Sequence, residues 1–186
     1  LPVQIGGDGK FAQRIKDFRP GRSGLPFKVP LDPTTEHLIN SNNISLLHSG
    51  ATLINASRGE CVATEAVKRN DLTYITDVWE NEPNIDTKVL QQSEIATPHV
   101  AGYSLQGKAN ASAMVINHIA KHFNLPIHNW YPAGIERSKE QLIEWEEMCN
   151  TIHKYYPISE ESEHLKQHPE QFEEMRNNYA YRKEYF

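Results

Sequence analysis

With 186 residues, the chain is long enough for one ordinary domain and a smaller appendage and too short for two complete domains. Its 38% hydrophobic content is low for a sheet-centred fold, and the excess polarity sits late: residues 134–186 hold 12 Glu against 7 Lys and Arg, matching the net charge of −5 of the whole sequence. No apolar run reaches the roughly 18 residues that span a bilayer, Leu1-Pro2-Val3-Gln4 does not open a signal peptide, no basic block offers a nucleic-acid footprint, and Cys61 and Cys149 are too few for a disulfide framework or a zinc cluster, so the expectation is a cytoplasmic protein with no membrane, nucleic-acid or metal partner.

In chain order, residues 3–5 read as a short strand, followed by the glycine turn Gly6-Gly7-Asp8-Gly9 and a helix over 11–18 with Phe11, Ile15 and Phe18 on one face. The Gly-, Pro- and Arg-rich stretch 19–28 reads as irregular chain. Asp32-Pro33-Thr34-Thr35-Glu36 opens a short helix, since Thr caps free amides and Glu complements the helix dipole, and another helical piece covers 44–48. Residues 51–55, 73–78 and 95–97 then read as strands, with helices over 64–69 and 87–92 between them. Strands separated by helical crossovers predict an α/β, doubly wound parallel sheet.

Residues 104–123 read as a long helix in which Gly107, Ala109, Ala111, Ala113 and Ala120 permit close packing. Beyond Pro126, residues 141–149 and 170–182 read as charged helices, each with one apolar stripe: Leu142, Trp145 and Met148 in the first, Phe172, Met175 and Tyr179 in the second. Such a stripe needs a partner surface. With no internal repeat to supply one, a second copy of the chain in a two-fold assembly is expected to do so.

The chemistry gathers after the strands. Gly7-Asp8-Gly9-Lys10-Phe11-Ala12 fits G-x-G-x-x-[GA] between a strand and a helix, where glycines let the backbone approach a pyrophosphate at the helix N-terminus; a glycine turn without a ligand explains it equally well, and no acidic ribose ligand stands about 20 residues on. Arg58 follows a strand beside Gly59, which would admit a ligand to the backbone, and a guanidinium holds a carboxylate bidentately. Taken alone it reads more readily as a surface Arg in a turn. His99, in a Pro-His strand end, is as ambiguous alone, but a carboxylate such as Glu82 beside it would fix its tautomer and keep it able to donate a proton near neutrality. Asp77, at another strand end, would accept a hydrogen bond from a cofactor amide or cap the next segment. His118 and His122, four apart on the long helix, lack a third ligand and read as solvent-facing, and Cys61, without a base, reads as a small buried residue.

Ligands of an open α/β sheet bind outside the carboxyl ends of its strands, so an Arg, a Glu and a His delivered there in series predict one shared site. The strings Ile54-Asn55-Ala56-Ser57-Arg58-Gly59, Asp77-Val78-Trp79-Glu80-Asn81-Glu82-Pro83 and Thr97-Pro98-His99-Val100-Ala101-Gly102 resemble, in order and spacing, the three signatures of the NAD-dependent D-isomer-specific 2-hydroxyacid dehydrogenases. The segments 101–109 and 172–179 further resemble members with an extra C-terminal dimerisation domain.

The resemblance implies a shortened Rossmann-like NAD-binding domain over 1–103, a long helix over 104–123 and a helical or α+β dimerisation extension over 124–186, in a homodimer. It implies that Arg58 grips the substrate carboxylate, that His99 exchanges the C2 hydroxyl proton, and that Glu82 backs His99. It also implies that Ser57, Asp77 and Gly102 line the NAD site with Gly7 and Gly9, that Tyr103 touches the substrate, and that the substrate is a small phosphorylated hydroxy acid. Formate-oxidising relatives carry Gln where Glu82 stands, so the Glu argues for a hydroxy acid. The family's leading segment, which forms most of its substrate domain, has no counterpart in this sequence. Two alternatives stay open: another dehydrogenase of the family, and a non-catalytic NAD-sensing protein on the same fold.

Overall fold

The computed structural model describes residues 25–27, 29–138 and 142–184. The expected strand at 3–5, the glycine turn with Gly7 and Gly9, and the helix at 11–18 lie outside the described residues. The chain forms two compact units, one of residues up to His99 together with Ile158–Asn177, the other of Val100–Pro157 and the residues from Asn178 onward.

In the first unit, strands β1 (Leu25–Phe27), β2 (Thr52–Asn55), β3 (Thr73–Thr76) and β4 (Ile95–Ala96) form a parallel sheet in that order among the described residues. Leu53 lies opposite Tyr74 and Ile75 opposite Ile95. Along β2 and β3 burial alternates, with Leu53, Asn55, Tyr74 and Thr76 buried and their neighbours half-buried. The parallel α/β class expected from the sequence is the observed one.

β1 corrects the reading of 19–28 as wholly irregular, since Leu25–Phe27 pairs in register with Leu53–Asn55. Pro26 hid it: proline lacks a ladder donor, which a strand with β2 on one side among the described residues tolerates. The expected helix at 32–36 is a run of turns, because Asp32 Oδ1 accepts from Thr34 N at 2.7 Å and from the Thr34 hydroxyl at 2.6 Å, while the Thr35 hydroxyl donates to Pro30 O at 2.7 Å. Side chains that bond locally to the backbone compete with the helix ladder. Residues 44–48 are helical only as a 3₁₀ turn at Ile44–Leu46.

Between β2 and β3 the chain makes 3₁₀ turns at Gly59–Cys61 and Thr64–Val67 where a helix over 64–69 was expected. Ala63 N is tied to Ile39 O, and both Thr64 N and its hydroxyl donate to Glu80 Oε2 at 2.9 and 2.6 Å, so the segment starts from a fixed point and has length for one tight turn only. Helix α1 (Thr87–Gln92) matches its expected bounds; Asp86 caps it by accepting from Val89 N.

The core joins Ile39, Leu53, Cys61 and Leu90 to Leu165 and Phe172, all at most 1% exposed. Each large apolar side chain so buried contributes roughly 1.5–3 kcal/mol over the exposed state. Leu165 and Phe172 come from α4 (Ile158–Gln167) and α5 (Phe172–Asn177), joined by a 3₁₀ turn at Pro169–Gln171. They replace the single helix expected over 170–182. Ser162 Oγ accepts from Ala96 N at 3.0 Å, and Gln91 Nε2 donates to Lys166 O at 2.7 Å, docking α4 beside β4 and α1. The apolar face of Phe172 and Met175 therefore meets this chain's own core and not a second copy.

The second unit holds α2 (Leu105–His122), capped by Ser104 accepting from Gly107 N at 3.0 Å, with Ala109, Ala113 and Ala120 buried as their small size suggests and Ala111, expected to pack with them, exposed on another face. Asn117 clasps the Trp130 backbone through both ends of its amide at 2.8 Å. Helix α3 (Trp145–Tyr155) lies later than the expected 141–149, and Leu142, Trp145 and Tyr155 are exposed. Residues 178–184 are an extended tail: Leu105 N donates to Arg182 O at 2.8 Å, and the Arg182 guanidinium reaches Ala101 O at 2.6 Å and lies 4.1 Å over the Tyr156 ring. Among the described residues no helix is long and apolar enough to cross a membrane.

Candidate active site

β2, β3 and β4 are adjacent and parallel, so the turns that leave their carboxyl ends fall along one edge of the sheet. The β2 turn is shaped by Asn55, fully buried, whose Oδ1 accepts from Ser57 N at 3.2 Å and from the Ser57 hydroxyl at 3.0 Å while its Nδ2 donates to Arg58 O at 3.1 Å. Arg58 then projects as an exposed side chain, one Nη donating to Ser57 O at 2.6 Å. An unburied guanidinium retains its donor fork for an anion.

Gly59 does a different job from the one its sequence suggested. A Cβ there would lie 2.0 Å from both C and O of Trp79. Glycine is required so that the backbone of the β2 turn can touch that of the β3 turn; the approaching group is the protein's own main chain, not a ligand. Cys61 follows, fully buried, and burial pushes its thiol up from the ordinary value with Glu60 adding to the rise, which suits a packed side chain and not a nucleophile.

The β3 turn carries Asp77, Trp79, Glu80 and Glu82. Asp77 is buried, and its Oδ1 accepts from the Thr97 hydroxyl at 2.7 Å, linking β3 to β4. Trp79 Nε1 donates to Thr97 O at 2.9 Å and Trp79 N to Glu82 Oε1 at 2.9 Å, so one residue pins the turn to β4 and aims the carboxylate. Glu80 turns away to Thr64 and to His37, which lies at 2.7 Å; burial opposes its charge, but the Thr64 hydroxyl and N–H with His37 outweigh that and hold its carboxyl below the usual range.

His99 Nδ1 lies 2.8 Å from Glu82 Oε2 and 3.1 Å from Oε1, with the two side chains only 26% and 17% exposed. The pairing expected between these residues is thus present. His99 sits at φ 60°, as does Asn81 at 64°, and the Glu82–Pro83 peptide is cis. A left-handed histidine costs on the order of 1 kcal/mol or more, and such residues gather at functional sites.

The sequence did not single out Asn55, Trp79, Thr97 or Arg176. Arg176 on α5 puts Nη1 3.4 Å from Glu82 Oε2, although 94 positions separate the two residues. Gly102 and Tyr103 belong to the second unit. Nothing stands within 4 Å of a Cβ built on Gly102, and the Tyr103 ring meets Tyr179 and Tyr181 edge-on at 5.8 and 5.6 Å with Lys108 Nζ 4.2 Å over its face.

On the first unit, the donor set fits the nicotinamide end of a dinucleotide: a buried carboxylate at Asp77 to accept from an amide, and the Ser57 turn. The glycines that would take the pyrophosphate are outside the described residues.

Residues 25–101 match the family model of the D-isomer specific 2-hydroxyacid dehydrogenase, NAD binding domain. The chain is 37% identical over 169 residues to the erythronate-4-phosphate dehydrogenase of Bacteroides thetaiotaomicron, covering 86% of this chain and 48% of the relative. It is 42% identical over 106 residues to that of Chromohalobacter salexigens, covering 54% of this chain and 28% of the relative. Among solved structures, a glyoxylate reductase from Paecilomyes thermophila superposes with a TM-score of 0.50 at 18% identity, over 57% of this chain and 34% of that one, which bears on the fold alone. The chain spans about half the length of the first of these relatives.

Proposed function

We propose, from the premise that residues 25–101 belong to the NAD-binding domain of the D-isomer specific 2-hydroxyacid dehydrogenases, that this chain is part of an NAD-dependent enzyme that oxidises 4-phospho-D-erythronate at C2. The observation that carries the chemistry is the His99–Glu82 pair at 2.8 Å, formed by the turns after β4 and β3 on the same carboxyl edge as the β2 turn that carries Arg58. What favours this substrate is the 37% identity to erythronate-4-phosphate dehydrogenase over 86% of the chain, including the segment beyond α2.

In this reading Arg58 binds the substrate carboxylate through its fork. Glu82 accepts the Nδ1–H of His99, which presents Nε2 as the base for the C2 hydroxyl proton. Asp77 and Ser57, with Gly102, hold the nicotinamide end of NAD, and Tyr103 contacts the substrate. NAD, when bound, accepts the hydride from C2. As C2–H leaves with its electron pair and O–H gives its proton to Nε2, the C2–O bond becomes a carbonyl, so the product is a 2-oxo acid. The reaction would belong to pyridoxine biosynthesis in the cytoplasm, carried out by a homodimer.

The test adds NAD and a panel of 2-hydroxy acids, with 4-phospho-D-erythronate among them, to the natural full-length protein and follows nicotinamide absorbance. Reduction with the phosphorylated acid in preference to lactate, glycerate and 3-phosphoglycerate is the expected result. Preference for another member of the panel would reassign the substrate, and NAD binding with no reduction would replace the enzyme by a sensor.

A further inference from the structure

We infer that Arg176, carried by α5 to the carboxylate of Glu82, is a positioning residue of the proposed reaction: its guanidinium fixes the Glu82 carboxylate in the plane that keeps the Nδ1–H of His99 bonded. The inference rests on the functional reading above and adds to it a residue from outside the 25–101 segment.

Glu82 presents two oxygens to three partners. Oε1 accepts from Trp79 N at 2.9 Å, and Oε2 faces both His99 Nδ1 at 2.8 Å and Arg176 Nη1 at 3.4 Å. The terminal torsion of a glutamate is broad and two-fold, so a single main-chain donor on one oxygen leaves the plane of the carboxylate loosely set. A cationic donor on the other oxygen, beside the imidazole, fixes it. The guanidinium also offsets a carboxylate whose side chain is only 17% exposed.

No other cation plays this part among the described residues. Arg58 spends a guanidinium nitrogen on Ser57 O. The neighbouring acids face elsewhere: Asp77 is bonded to Thr97, Glu80 to Thr64 and His37, and Glu173 and Glu174 on α5 are exposed. Arg176 is held where it is by its own helix. Phe172, 1% exposed in the core, stands one turn earlier on the same face, so burying Phe172 points Arg176 at Glu82. A segment that looks in sequence like a separate polar tail thereby reaches the reacting pair.

The experiment compares the full-length protein with Arg176→Gln and Arg176→Lys. In Arg176→Gln, kcat is expected to fall about 10- to 100-fold with KM for the hydroxy acid within about twofold, as for a misplaced catalytic group. The downfield Nδ1–H proton resonance of His99, present in the parent, should broaden or vanish. Arg176→Lys should recover most of kcat and the resonance.

A loss confined to KM would overturn the inference by making Arg176 a direct substrate ligand. So would an intact resonance in Arg176→Gln, or an Arg176→Lys as impaired as Arg176→Gln. Because the imidazole resonance needs no turnover, a protein that reduces NAD with no hydroxy acid would defeat the functional reading while still deciding this one.

Discussion

The carboxyl edge of the sheet and helix α3 make opposite use of their side chains. At the edge, Asn55, Asp77, Trp79, Thr97, Glu82 and His99 bond to one another across three strands, and a glycine is needed for two turns to fit. On α3 the large apolar residues face water: Trp145 is 74% exposed and Leu142, just before the helix, is 101% exposed. In the first region each of these side chains has a partner on the same edge, so its geometry is over-determined. The second carries apolar side chains that no described residue of its own unit covers, and amphipathic helices hold their stripe for a partner surface.

The largest effect that would sharpen the contrast is chemical. His99→Ala should lower kcat by about 10³–10⁴-fold in the full-length enzyme, with NAD affinity by fluorescence titration unchanged. Weakened NAD binding in equal measure would make His99 a structural member of the edge. Next comes Gly59→Ala, which forces a methyl against the Trp79 main chain. A backbone-to-backbone clash cannot be relieved by rotating a side chain, so a loss of about 2–4 kcal/mol is expected from the urea midpoint.

Acid should act on the first unit before it touches α3. Glu80, and Asp86 through Lys68 and Val89 N despite opposing burial, have carboxyls held below their ordinary values in the fold. A depressed folded value means stability that is full above the unfolded value, about 4, and is lost as pH falls through the folded one. Glu80→Gln should flatten that acid limb in chemical denaturation between pH 5 and pH 3, taken here as roughly the carboxylate range. The smallest effect should come from Trp145→Ser. Its stability change should stay within about 0.5 kcal/mol, while light scattering should report a shift toward monomer if α3 packs on a second copy. An unaltered oligomer with lost stability would place Trp145 in its own core.

Local pattern sufficed where local pattern decides. The β-branched runs of β2 and β3 and the span of α1 could be read directly, and so could the delivery of Arg58, Glu82 and His99 to turns that follow strands. Long-range pairing was out of reach. Pro26 argues against a strand until β2 is beside it, and α4 offers few apolar residues besides Ile158 and Leu165, so its helix is set by docking on β4. Arg176 lies in the 172–179 segment that carries the resemblance, but nothing in that segment points to Glu82. Its partner lies 94 residues away, and no period or spacing in a sequence encodes that distance.

The left-handed backbone at His99 sets a rule for what can live at that position. Glycine enters that conformation freely, Asn and Asp tolerate it, and Val or Ile pay most steeply. A library randomised at 99 and sorted for folding alone should therefore fill with Gly, Asn and Asp, with histidine behind them. Only sorting for turnover should bring histidine to the front, so the two enrichments, read side by side, separate what the backbone demands at this site from what the chemistry demands.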